Sequence, residues 1–377
     1  MPLLTPEAAR LCQSSGALPS PNLFHLSHFD WTQNSPPLKR HHGWTYSQQI
    51  SVGAPRFDSK QVSHYKVPTM TTDTVVLSGL LAEIILRQLP CGGWAALASS
   101  SQPALEPTCF AALALGSIPG GAFERAQEFL LHTQNPNGSW PAFAGDESDG
   151  GWLTSLAVLA LRDEVPAIPT RLQGAHWLVS CAGREGNWFW KWKFRTFDRH
   201  VRFDPEKFGW PWFPETVSWV VPTAFAILAL NQLPCSCGGL EQVPFRVERG
   251  IEMLLDRGCP GGGWNAGNGV VYGVPVAPHP EDTAIALLAL REHGRNPMVQ
   301  SSVRYLERIA PSLTAPWSLA WATLALAAYG RPIDSIYSSL VAIPDLTRVD
   351  DTSTLALVCL ALDYQRALSA LGVTSWG

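Results

Sequence analysis

Charge is scarce in this sequence: 15% of its residues are Asp, Glu, Lys or Arg, against about a quarter in an ordinary soluble domain. The little there is leans acidic, with 27 Lys+Arg against 31 Asp+Glu and a formal net charge of −4. No basic excess is present to neutralise a phosphate backbone, which argues against nucleic acid as a partner. Cysteine is sparse as well, at eight in 377 residues, too few and too scattered for a disulfide scaffold. Cys235 and Cys237 stand two apart with no second Cys or His pair at finger spacing. A zinc knuckle is therefore not expected; buried free thiols are, with no metal and no cofactor. No basic stretch followed by an apolar core opens the chain, so the expected location is cytoplasmic, with peripheral membrane contact left open. One long uncharged stretch, Ala310 to Gly330, is broken by Pro311 and Pro316. It reads as a loop feeding a buried helix, because a membrane span needs ~20 continuous apolar residues.

What the chain does have is tryptophan, 16 of them, beside 31 Gly and 31 Pro in a sequence that is 46% hydrophobic. That mixture predicts many short elements joined by turns around a large apolar interior, since disorder would show few aromatics and high charge. Residues 1–68 stand apart. They are rich in Pro, Ser, Asn and His without a sustained period, and are expected to form a poorly ordered arm or one that drapes over the body. Residues 69–377 are expected to form a single domain.

That domain is repetitive. The strings TCFAALAL from Thr108, TSLAVLAL from Thr154, TAFAILAL from Thr223 and TAIALLAL from Thr283 share a Thr seven residues before a final Leu. Degenerate copies end at Leu326 and Leu362. Each is apolar nearly all round, which for a helix means burial on every side. The Thr, or the Asp or Pro before it, suits the helix N-terminus. A Gly-x-Trp turn precedes these helices, ending at Trp94, Trp140, Trp188 and Trp264. Trp94 lies 14 residues before Thr108, and Trp140 lies 14 before Thr154. Amphipathic stretches such as Glu124–His132 come before most of the turns. The unit is an outer amphipathic helix, a turn, a loop and an inner apolar helix. Such units stack into a closed double ring or an open superhelix.

Arg125 to Trp140 carries every specified position of the pattern (K/R)(G/A)-x2-(F/Y/W)-(L/I/V)-x3-Q-x3-G-x-W. Gln173 to Trp188 departs from it at Gln173 and Ala182, and Arg249 to Trp264 departs at Met253 and Gly258. Gln88, Gly92 and Trp94 keep the end of another copy. This is the QW repeat, and residues 70–375 resemble the squalene-cyclase and protein-prenyltransferase superfamily. The resemblance implies an all-α fold, an α/α toroid of six outer helices around six inner ones. It also implies an apolar central cavity that holds an isoprenoid chain.

In such a ring, the loops before the inner helices meet at one mouth. Carboxylates recur there: Glu106; Asp146, Glu147 and Asp149; Glu215; Glu281 and Asp282; Asp350 and Asp351. Any one of them can simply cap a helix and complement its dipole. Paired carboxyls are the better acids, because one of two close partners is forced to keep its proton. Class II terpene cyclases carry D-x-D-D-T-A with its middle Asp as acid. The resemblance matches it to His279-Pro280-Glu281-Asp282-Thr283-Ala284, with Glu281 as acid. The second match is Arg348-Val349-Asp350-Asp351-Thr352-Ser353. Neither is intact. A prenyltransferase zinc site would need Cys where Ala284 stands and a His beyond His293, and neither is present.

Residues 189–214 read as an insertion between Trp188 and Thr223. Lys191, Lys193, Arg195, Arg199 and Arg202 alternate with Trp190, Trp192, Phe194, Phe197 and Phe203. A strand here would be aromatic on one face and basic on the other. It could be a lid that places aromatic faces near a carbocation and cations near a diphosphate or an anionic lipid surface. The plainer reading is a loop packed by its aromatics with basic tips in water. Trp190, Trp192, Lys191, Lys193, Glu215 and Trp219 are the substrate-binding candidates; Glu281, Asp282, Asp350 and Asp351 are the catalytic ones. Two functions follow from this. One is a divergent class II terpene cyclase-like enzyme acting on an isoprenoid. The other is a non-catalytic toroid binding a lipid or a partner protein, with a second subunit able to close the ring in either case.

Overall fold

The computed structural model describes residues 72–373, apart from 117, 119, 147, 162–166, 197–202 and 234–239. The N-terminal arm, Glu147, Phe197, Arg199, Arg202, Cys235 and Cys237 lie outside the described residues.

The apolar strings become six helices: α2 (Leu105–Leu115), α4 (Leu153–Ala160), α7 (Val220–Asn231), α9 (Pro280–Ala289), α11 (Pro316–Ala328) and α13 (Thr352–Leu362). In α7 every residue from Val220 to Leu230 is buried, as an all-round apolar helix requires. Each of the six packs on two others, in the order α2, α4, α7, α9, α11, α13 and back to α2. The α13–α2 contact closes the ring and excludes the open superhelix.

Outside them lie six further helices: α1 (Thr72–Leu86), α3 (Ala122–His132), α5 (Ala167–Ser180), α8 (Val243–Arg257), α10 (Pro297–Ile309) and α12 (Asp334–Val341). Those that are amphipathic turn their apolar stripes inward: Ala126, Phe129 and Leu130 on α3, and Val299, Val303 and Leu306 on α10; α1 departs from this, leaving Val75 and Leu86 exposed. They pack in turn on α13, α2, α4, α7, α9 and α11. The fold is the expected α/α toroid. A last helix, α14 (Tyr364–Ala370), packs on α2, α11 and α13. Arg366 on it donates to the Leu113 and Ala114 carbonyls at the C-terminus of α2, at 3.0 and 2.6 Å. α14 thus lies at the end of the ring where the inner helices finish; the end where they begin carries the loops expected at the mouth.

The tryptophan turns explain the repeat, with one change of register. Trp94, Trp140, Trp210 and Trp264 are fully buried. Their indole N–H groups donate to outer-helix carbonyls of Ile84, Leu130, Leu178 and Leu254 at 2.6–2.8 Å. Their backbone N–H groups donate to Oγ1 of Thr108, Thr154, Thr223 and Thr283 at 2.9–3.1 Å. The repeated Thr is thus no cap. It sits inside the inner helix and receives the tryptophan backbone of its own unit. In the third unit this place belongs to Trp210, not Trp188, which is exposed. The extra residues therefore lie before the turn, and part of them form a helix, α6 (Trp188–Thr196), rather than a strand.

The glutamines of the QW pattern tie successive units together. Gln88 Nε2 donates to Gly92 O and, at the start of α3, to Ala122 O, at 2.8 and 2.7 Å. Gln134 Nε2 does the same with Gly138 O and, on α5, Thr170 O, both at 2.9 Å. Gly92 and Gly138 both have φ of +90°, and a Cβ there would meet the Arg125 or Gln173 carbonyl oxygen. Glycine is required on both counts.

Candidate functional site

Backbone hydrogen bonds run around the mouth from unit to unit. Ala98 N–H donates to Asp350 O and Thr352 N–H to Ala96 O; Leu105 N–H donates to Ala142 O, Trp152 N–H to Trp212 O, and Val220 N–H to Ala266 O. This belt fixes where α13, α2, α4 and α7 start, and with them Asp351 and Glu106.

Two groups of carboxylates result. In the first, Glu106 begins α2 and Asp351 caps α13, the helices that close the ring. Asp351 Oδ2 accepts from Thr354 N–H at 2.7 Å and from the Thr354 hydroxyl. Burial raises the Glu106 carboxyl above its ordinary value, and the Asp351 charge pushes the same way; a hydrogen bond from Ser353 opposes both. A carboxyl so placed tends to keep its proton. Glu106 lies one turn before Phe110, so both belong to the same stripe of α2.

In the second group, Glu281 and Asp282 open α9. Ser318 on α11 donates to Glu281 Oε1. Asp282 Oδ2 lies 2.9 Å from His279 Nδ1. Burial raises the Asp282 carboxyl, while the His279 hydrogen bond and charge lower it and Glu281 raises it. Sequence order kept Glu106 outside the D-x-D-D-T-A frames. Yet Glu106 and Glu281 both stand two residues before the Thr that binds a turn tryptophan, and that shared position was the available signal.

Below the carboxylates the interior is aromatic. Trp321 on α11 meets Phe110 on α2 at 6.1 Å and Phe225 on α7 at 6.0 Å, both edge-on. Trp317 joins them, 5.9 Å from both Phe110 and Trp321. Neither α2 nor α7 is a ring neighbour of α11, so these side chains reach across the lumen. The buried Trp321 indole N–H has no hydrogen-bond partner. An open pocket of about 350 Å³ lies at the other end of the ring, beside α14, lined by residues including Leu113, Phe123, Leu161 and Arg366.

The remaining candidates sit elsewhere on the mouth side. Glu215, at φ +63°, is exposed and 4.0 Å from Arg184. Trp219, half-buried, precedes α7 and donates its backbone N–H to Trp210 O at 3.0 Å. Lys191 pairs with Glu206 at 2.8 Å, Lys193 lies over the Trp190 ring at 4.6 Å, and Trp192 is exposed. The structure thus brings Asp351 together with Glu106, and Glu281 with Asp282. It gathers Trp190, Trp192, Lys191 and Lys193 on α6, which packs on the turn Arg184–Gly186. Among the described residues, no three His, Cys, Asp or Glu are grouped to hold a metal, and no helix is long and apolar enough to cross a membrane.

Inner ring, outer ring and tryptophan turns together make this a terpenoid cyclase-like toroid. Solved structures share the fold. A protein from Actinoplanes matches over 80% of this chain and 99% of its own, at 17% identity and a TM-score of 0.50. The type II terpene cyclase MstE from Scytonema, in its apo form, matches over 78% of this chain and 98% of its own, at 14% identity and a TM-score of 0.51. No protein-family model and no curated protein matches the sequence.

Proposed function

We propose that the chain is a divergent class II terpene cyclase-like enzyme that draws an isoprenoid into the ring and protonates it from the mouth. The observation that carries this reading is the half-buried carboxyl of Glu106, its pKa raised by partial burial and by Asp351, one turn above an aromatic lumen. Protonation of an alkene or epoxide needs an acid with no water competing for its proton. Aromatic faces such as those of Phe110, Trp317 and Trp321 then stabilise the cation that forms. In this role Asp351 keeps the proton on Glu106, while Glu281 and Asp282 form the second carboxyl pair on the same rim. The fold shared with a type II terpene cyclase supports the assignment.

A second reading has its own observation. Phe110, Phe225 and Trp321 meet across the lumen, which suits a non-catalytic ring that binds a lipid or a partner protein at its rim.

One experiment separates the two. The purified protein is incubated with squalene, farnesyl diphosphate and geranylgeranyl diphosphate, and extracts are analysed by mass spectrometry. A cyclised product that disappears in Glu106→Gln supports the enzyme. No product from any substrate, with intact lipid recovered from the protein, supports the binding ring.

A further inference from the structure

Charge is scarce in this chain, and most arginines among the described residues are spoken for. Arg87, Arg171, Arg246, Arg291 and Arg366 donate to backbone carbonyls at or near the ends of helices and turns. Arg184, Arg195, Arg249, Arg257 and Arg348 pair with carboxylates. Arg125 and Arg308 reach Gln88 and the Tyr305 ring. Arg295, Arg304 and Arg331 do none of these. Among the described residues, their side chains have no hydrogen bond, ion pair or ring contact.

Two of the three line one open pocket of about 580 Å³: Arg304 and Arg331, with Gln300, Val303 and Tyr329. Arg295 follows Gly294, another of its walls. The pocket lies where α9 and α11 finish, at the opposite end of the ring from the carboxylates. Among the described residues, no Asp or Glu lines it. Local structure sets both guanidinium groups. Gln300 and Arg304, four apart, share one face of α10. Gly330, at φ +61°, closes α11, and Arg331 N–H donates back to Leu326 O at 2.9 Å. Such a closure fixes the residue that follows it. An arginine past a helix end ordinarily serves the last carbonyls, but here Arg291 Nε already donates to Ala328 O at 2.7 Å. Arg304 stands mid-helix, away from either end of α10. Glu307 and Asp334 follow the two arginines by three residues without forming an ion pair with them. The fold thus gives neither arginine a structural task.

We propose that this pocket binds a phosphate group as a dianion, free or on a small soluble molecule, clamped between Arg304 and Arg331. Two full cationic charges without a counter-charge suit a dianion, whereas a single carboxylate would leave one arginine unmatched. The planar fork of a guanidinium also fits phosphate oxygens two at a time. Gln300 offers an amide beside the arginines, and Val303 and Tyr329 supply an apolar wall for an organic group on the phosphate. A bound dianion ties α10 to the turn after α11, so the ligand stabilises the ring. The site does not depend on the isoprenoid reading.

The test is isothermal titration of the full-length protein with inorganic phosphate, adenosine monophosphate and acetate at constant ionic strength, with thermal melts alongside. A phosphate compound should bind and raise the melting temperature, and acetate should not. Tighter binding of the nucleotide would place an organic group against Val303 and Tyr329; tighter binding of the ion would make free phosphate the ligand. Arg304→Gln and Arg331→Gln should each weaken binding about tenfold or more, as loss of a hydrogen-bonded charge does. Together they should abolish it. Both side chains are exposed, so the ligand-free melts should stay with wild type. Arg308→Gln removes the same charge from the same helix outside the pocket and should stay within about twofold of wild type, because solvent screens it. Glu106→Gln should bind like wild type, which keeps failure of this site distinct from failure of the cyclase chemistry. The proposal is overturned if neither phosphate compound binds at millimolar concentration, if acetate binds as well, or if binding survives the double variant. An equal loss in Arg308→Gln overturns it too, since the effect would then be one of general charge.

Discussion

The backbone N–H of Trp210 donates to Thr223 Oγ1 at 2.9 Å, while its indole N–H reaches back to Leu178 O at 2.7 Å. One buried residue thus clamps an outer helix to the inner helix of the same unit. Alanine keeps the backbone bond to Thr223 but loses the indole bond and opens a large cavity. Trp210→Ala is expected to lower unfolding stability by about 3–5 kcal/mol. Trp188→Ala, on an exposed side chain, should stay within about 0.5 kcal/mol. Urea denaturation of both variants checks the register. An equal loss in the two would return the turn to Trp188.

That register also marks how far the sequence could be read. Thr108, Thr154, Thr223 and Thr283 announced the inner helices directly, because each lies at a fixed distance from a final Leu. Trp188 misled because Gly186-Asn187-Trp188 imitates the turn at the spacing of the intact copy. In space the chain leaves at Gly183 and returns at Gly209, whose carbonyl accepts from Gly183 N–H at 3.1 Å. An excursion that closes on itself leaves no mark at its two ends in the sequence. Residues 190–195 failed for a different reason: alternation over so few residues fits a strand, but Trp190 and Phe194 also share one face of a helix. The repeats alone left ring closure open, since it rests on α13 meeting α2, and only the family resemblance implied it. Glu106 was visible as one carboxylate among several at the inner-helix starts, but its pairing with Asp351 depends on that same closure.

The Glu106–Asp351 relationship predicts a pH dependence. Burial and the Asp351 charge raise the folded-state pKa of Glu106 above its ordinary value of 4.5. The unfolded chain therefore loses this proton at lower pH than the folded one. Stability contributed by the protonated group is complete below the unfolded value and declines as pH rises through the folded one. Glu106→Gln, which stays neutral, should match wild type at about pH 4 and melt higher at about pH 8, given the linkage between pKa and stability. Thermal melts at the two pH values test this. A variant that is less stable at the higher pH would mean that the ionised carboxylate is favourably held.

Gly258 stands where the QW pattern has Gln, and the structure gives a steric reason. Its φ of −59° and ψ of 146° suit any residue, yet a Cβ there would lie 2.0 Å from Met298 Cε. The methionine of α10 fills the space that a side chain at 258 would need. Gly258→Gln should cost about 1–3 kcal/mol through overpacking. Adding Met298→Ala should recover part of that loss by vacating the space. If the double variant is no more stable than Gly258→Gln alone, Met298 is not what excludes the glutamine.

The insertion is held by charges buried beneath it. Glu185 is fully buried and accepts from Ser218 N–H at 3.0 Å, in the loop that leads into α7. Arg257, at the end of α8, donates to Glu185 Oε1 at 3.3 Å and to Asn268 Oδ1 at 2.6 Å, and its guanidinium lies 4.1 Å from the Phe203 ring centroid. Burial lowers the Arg257 pKa, and the neighbouring Glu185 and Asp256 charges raise it again. Removing Glu185 leaves that cation buried without its nearest carboxylate. Glu185→Ala should therefore cost about 3–5 kcal/mol, and Arg257→Met a similar amount. If the two groups act through each other, the double variant falls short of the sum by about 0.5–3 kcal/mol. Because Phe203 lies within the insertion and Ser218 follows it, Glu185→Ala should also hasten proteolytic cleavage between Trp188 and Lys207 ahead of the rest of the ring. Strictly additive losses, with cleavage no faster there than elsewhere, would mean that the pair stabilises the ring as a whole and leaves the insertion to its aromatic contacts.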